Sequence, residues 1–111
     1  MMLPGPIRRL FYRYHADQLD TDRHAALIIA TVLSDGAVED WEWLFQVYGW
    51  HAMQVWIAEP GHAAMLPPPM ERFWTLLLLG TPEETPRWAG GNARRAVPAS
   101  ALPAWFPDDL R

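Results

Sequence analysis

Four histidines, two serines and two acidic clusters are the side chains in this sequence best suited to catalysis or metal binding, and their spacing decides what each can do. His15, His24, His51 and His62 never stand four residues apart. No helical turn therefore brings two imidazoles to one zinc ion. Ser34 and Ser100 lie in no G-x-S-x-G elbow, the turn that presents a hydrolase nucleophile. Asp17, Asp20 and Asp22 lead into an apolar periodic stretch. A calcium loop needs acids at its first, third and fifth positions, then a glycine at the sixth. The spacing here differs, and Asp20 or Thr21 is better placed to cap a helix. Glu39, Asp40 and Glu42 fall where another helix should begin, and carboxylates there complement the helix dipole. They can also form an acidic patch for a basic partner. The pair Gly90–Gly91 runs into Asn-Ala-Arg-Arg, without the helix signature that a phosphate-cradling loop requires. The sequence has no cysteine, which excludes a thiol nucleophile, a disulfide framework and a Cys-ligated metal. No catalytic residue, cofactor or metal ligand is assigned, and the chain reads as non-enzymatic.

The elements behind these residues follow from apolar periodicity. Residues 7 to 14 can make about two helical turns. Ala25, Ile28, Ile29, Val32 and Leu33 trace one face of a helix, with Gly36 a left-handed stop. A second strong helix is expected from Val38 to Tyr48, with Trp41, Leu44, Phe45 and Tyr48 as its buried stripe. Ala37 is a poor cap for it. A third runs from Trp50 to Ala58. After a loop through "GHAAMLPPP", Pro68 or Pro69 opens the last helix, whose stripe is Met70, Phe73, Trp74, Leu77 and Leu78. The expected fold is all-α: four to five short helices packed around an aromatic core, in a helical domain spanning residues 1–80. Residues 81–111 hold five prolines and no helical period. They read as an extended Pro-rich C-terminal tail, which carries Trp88, Trp105 and Phe106 back onto the core or onto a partner.

The segment around Gly49 has the outline of a DNA-reading helix-turn-helix. However, the would-be reading helix, "HAMQVWIAE", contains no Arg or Lys, and groove recognition leans on those residues. Only Gln54 can bond a base edge there, and Glu59 repels phosphate. The helix is instead apolar around nearly its whole circumference, so it is either central in the core or covered by another chain. Met53 and Trp56, with Trp88, Trp105 and Phe106 of the tail, are the candidate interface residues.

Bulk composition agrees with a folded interaction module. Half of the 111 residues are hydrophobic, with seven Trp, four Phe and three Tyr, enough to build a core. The net charge is −4 and all nine basic residues are Arg, so a general attraction to nucleic acid is not expected. The pairs Arg8–Arg9 and Arg94–Arg95 suit the rim of a protein interface. No apolar run follows the first arginines, so no signal peptide is expected. The longest apolar run, "FWTLLLL" at 73–79, is far shorter than the ~20 residues of a membrane span. A cytoplasmic location is expected.

"LF" at 10–11, "LD" at 19–20, "LIIATVLSDGAVEDWEWLFQVYG" at 27–49 and "RFWTLLLL" at 72–79 together resemble a family of small, uncharacterised bacterial helical domains. Its members are commonly encoded beside abortive-infection-type nucleotidyltransferase toxins and are regarded as their antitoxins. The resemblance spans residues 8 to 80 and implies a protein partner, a toxin-like nucleotidyltransferase. The helix-turn-helix-like segment leaves a DNA-binding autoregulator as the alternative, and self-association is a third reading. Arg13, Ala37 and the apolar helix after Gly49 depart from the family pattern. The last of these favours protein burial over DNA.

Overall fold

The four longer expected helices form, whereas residues 7–14 give only the end of a short helix and a 3-10 turn; the computed structural model, which describes residues 3–80, 86–89 and 106, shows how they pack. The elements are α1 (Gly5–Arg8), α2 (Ala25–Asp35), α3 (Val38–Tyr48), α4 (Trp50–Ala58), α5 (Pro60–Ala63) and α6 (Pro68–Leu79), with single 3-10 turns at Arg9–Phe11, Ala16–Gln18 and Arg87–Ala89. No strand occurs among the described residues. The protein is all-α around an aromatic core. Most of the expected tail, including Trp105, lies outside the described residues.

The ends of α2 differ from expectation for local reasons. Asp20 does not cap it. Its carboxylate accepts the Asp22 N–H at 3.2 Å, and its own N–H donates to His24 Nδ1 at 3.0 Å. The acids thus close a turn, and the helix begins only at Ala25. At the other end Gly36 is extended, with φ −79° and ψ 167°, not left-handed. It is small for a different reason: a Cβ there would lie 2.6 Å from the Val32 carbonyl and 3.0 Å from Asp40 Cβ. Gly49 is the residue that turns left-handed, at φ 91°, and it lets α4 start directly after α3. The expected loop after Ala58 contains one more helical turn, α5, opened by Pro60.

α4 packs against α3, α5 and α6, while α2 packs against α3, α6 and the turn Arg9–Phe11. Ile28, Ile29, Val32 and Leu33 of α2, Leu44, Phe45 and Tyr48 of α3, and Trp74 of α6 are all buried between them. Each such side chain contributes roughly 1.5–3 kcal/mol by leaving water. The rings of Trp41, Phe45, Trp74 and Trp88 form a continuous set, with Trp41 to Trp74 at 5.0 Å and Trp41 to Trp88 at 5.2 Å. No helix among the described residues is long and apolar enough to cross a membrane.

Candidate functional site

The structure places Met53, Trp56 and Phe106 of the expected interface residues inside the molecule. Met53 and Trp56 are 0% exposed and Phe106 is 2% exposed. The apolar side chains Ala52, Met53, Trp56 and Ile57 of α4 are buried where it packs against α3, α5 and α6. His62 lies flat on the Trp56 indole, 4.8 Å away and 5° from parallel. Phe106 meets His51 edge to face at 5.5 Å. Trp88 is half-buried against Trp41, Phe45 and Trp74. The two described parts of the tail therefore pack on the chain's own core. Met53 and Trp56 offer no surface to a partner, which corrects their assignment as anchors. Burial in the chain's own core, not burial by a second chain, explains the apolar circumference. The DNA reading loses its only base-reading side chain too, because the Gln54 amide donates to the Leu78 carbonyl at 2.8 Å and ties α4 to α6.

The best-placed ionic group is also structural. Asp40, 3% exposed, accepts two hydrogen bonds from Arg9, Nη1 to Oδ1 at 3.0 Å and Nη2 to Oδ2 at 2.6 Å. The same Oδ2 takes the Ala37 N–H at 2.8 Å. The poor cap at Ala37 is thus remedied from three residues ahead, the reciprocal half of a capping box. These bonds, the Arg9 bond foremost, hold the Asp40 carboxyl below the usual aspartate range despite its burial. A carboxylate so fully engaged has no capacity left for acid–base work. Tyr48, buried, donates its hydroxyl to the Thr21 carbonyl at 2.6 Å. Burial pushes its phenol upward, with the charges of Asp20 and Asp22 adding to the effect. Among the described residues no group of three His, Asp or Glu is placed to hold a metal ion.

What the molecule does expose is one side of α6. Phe73, Leu76 and Leu79 are 40%, 56% and 48% exposed, while Trp74, Leu77 and Leu78 of the same helix are buried. Beside the start of α6 lies a shallow depression of about 520 Å³, lined by Pro60, Ala63, Ala64, Leu66, Pro68 and Glu71. Tyr12 and Tyr14, also exposed, form a separate patch near the first turns, where the Arg13 guanidinium sits 5.4 Å from the Tyr12 ring. The α6 face was missed in the sequence, although a signal for it was present. Seven residues of "FWTLLLL" with a single polar member span more than one helical face, so some must face outward.

Residues 7–55 match a family of unknown function, DUF6922. The match covers under half of the chain. It takes in the second half of α1, all of α2 and α3, and α4 up to Val55, and so includes both partners of the Arg9–Asp40 pair. The α6 face and the depression beside it lie outside the match. Nothing in the family's description concerns toxins or antitoxins. No curated protein and no solved structure matches the chain.

Proposed function

We propose that this chain is a non-enzymatic, antitoxin-like interaction module that binds and neutralises a partner toxin of the nucleotidyltransferase type. The observation that carries the reading is the outer face of α6. Three large apolar side chains in a row stay half-exposed there, although the helix already buries its inner stripe. Apolar surface gathered on one element is the usual mark of a protein-binding face. The net charge of −4 supports a protein partner over DNA, and the burial of α4 weighs against the helix-turn-helix alternative. The nature of the partner rests on the sequence resemblance of residues 8 to 80 described above.

Co-expression with the nucleotidyltransferase-type toxin encoded nearest its gene tests this. Growth should be restored, and the two proteins should elute as one complex that persists between roughly 50 and 200 mM salt, a range over which phosphate-driven DNA binding weakens steeply. The absence of any complex, together with a sequence-specific DNA shift that fades with salt, would overturn the reading in favour of an autoregulator.

A further inference from the structure

We propose that the depression between α5 and α6 receives the side chain of one lysine or arginine from a protein partner, with Glu71 as its counter-charge, while apolar residues next to that cation cover Leu76 and Leu79. The inference rests on the interaction-module reading and adds to it where the partner docks and what chemistry it presents.

The walls carry the first part of the argument. Pro60, Ala63, Ala64, Leu66 and Pro68 are apolar, and Glu71 is the one charged group lining the depression. Lysine and arginine are long apolar stems with a cationic tip, which matches a greasy cleft with a carboxylate at its edge. A bare metal ion does not fit, because calcium or magnesium requires several oxygen ligands and this cleft offers one carboxylate.

Glu71 carries the second part. It is half-buried, and its one side-chain hydrogen bond among the described residues is a long 3.5 Å contact from the Thr75 hydroxyl. No described cation pairs with it. The contrast is Asp40, which is fully satisfied by Arg9 at 2.6 Å. A partly desolvated carboxylate beside apolar walls gains from a cation that arrives with its own apolar stem.

Position carries the third part. Pro68 both lines the depression and opens α6. Pro68, Arg72, Leu76 and Leu79 follow helical spacing along the solvent side, and all four are exposed. The cleft and the apolar face are therefore one surface. Arg72 on that surface repels a second cation, so the surface suits a single basic residue followed by apolar ones, not a polybasic run. A second copy of this chain is a weaker occupant, since two molecules of charge −4 repel each other.

The test is a titration of the full isotope-labelled chain with a capped helical 12-residue peptide. The peptide carries one lysine, leucines three and seven positions further on, and uncharged residues elsewhere. A norleucine analogue, which keeps the stem and loses the charge, is the control. Amide shifts should centre on residues 60–72 and reach Leu76 and Leu79. Norleucine for lysine, and Glu71→Gln in the chain, should each weaken binding on the order of tenfold, and the two together should cost no more than one alone, as coupled partners do. Equal binding of the norleucine peptide, losses that simply add, shifts centred elsewhere, or occupation of the face by self-association on light scattering would each overturn the proposal. The norleucine arm holds even if Glu71→Gln fails to fold. The two readings fail separately. A toxin complex indifferent to Glu71→Gln sinks this inference alone, whereas peptide binding without any toxin complex sinks the antitoxin reading alone.

Discussion

The indoles of Trp41 and Trp74 meet edge to face at 5.0 Å and 88°, and each donates its N–H at 3.0 Å to one of two successive carbonyls, Val32 and Leu33, near the end of α2. The last carbonyls of a helix have no partner within it. Here the Trp74 indole supplies that partner to the Leu33 carbonyl, while the Trp41 indole adds a second bond to the Val32 carbonyl, which also accepts the Gly36 N–H at 2.9 Å, so α3 and α6 are both fastened to the same end of α2.

Trp74→Phe should show what that fastening contributes. The ring stays apolar, but the buried Leu33 carbonyl loses its indole donor and the missing ring leaves a void. A loss of about 2–3 kcal/mol is expected, read as a lower urea midpoint with an unchanged slope. Trp41→Phe should cost less, because Trp41 is half-buried and water can reach its site. Equal losses would show that the two bonds do not differ in burial as described.

Helix identity was legible in the sequence and helix partnership was not. Val38–Tyr48 and Trp50–Ala58 form as their apolar spacing requires, since a 3.6-residue period admits few alternatives. Which of two strongly apolar stretches would be wrapped, α4 or the second half of α6, is set by contacts far apart in the chain. The sequence around Met53 and that around Leu76 read alike, yet one is enclosed by three helices and the other is left at the surface. The role of Asp40 was hidden for a similar reason. It looked like a dipole charge of the first turn, and only the approach of Arg9 from 31 residues away makes this buried carboxylate one half of a clasp. Glu71 gave no signal at all, because its setting depends on Pro60 and Ala63 across the depression.

The Arg9–Asp40 clasp predicts a specific acid limb. The Asp40 carboxyl is held below its ordinary value of 3.8 when folded. Its stabilisation is therefore complete above the unfolded value and is lost as pH falls through the lower folded one. Asp40→Asn should destabilise the protein by roughly 1–2 kcal/mol near neutral pH, through the weakened cap and pair. That gap should close as the pH drops below about 4. Denaturant midpoints of both proteins across the acid range measure it, and a gap that stays constant into acid would refute the assignment.

One substitution made at two glycines should act with opposite sign. Gly49 sits at φ 91° and ψ 152°, a region nearly closed to other residues, so Gly49→Ala should cost about 1–3 kcal/mol. Gly61 lies in α5, where an added Cβ would meet nothing within 4 Å. Gly61→Ala should be neutral or add up to about 1 kcal/mol by restricting the unfolded chain. Thermal melts of the two variants compare them directly, and a stabilising Gly49→Ala would mean that the α3–α4 turn is not the one described.

The sharpest contrast is between the two apolar helices themselves. Met53 is fully enclosed, so Met53→Ala should leave a cavity and cost roughly 2–5 kcal/mol. Leu76 and Leu79 are about half-exposed, so Leu76→Gln and Leu79→Gln should each change stability by no more than about 0.5 kcal/mol. Those two changes should nevertheless weaken partner binding, because they remove apolar surface that the fold itself does not use. Stability and binding are then separable on α6 and inseparable on α4. If Leu76→Gln unfolded the protein as Met53→Ala does, the outer face of α6 would belong to the core, and no surface would remain there for a partner to cover.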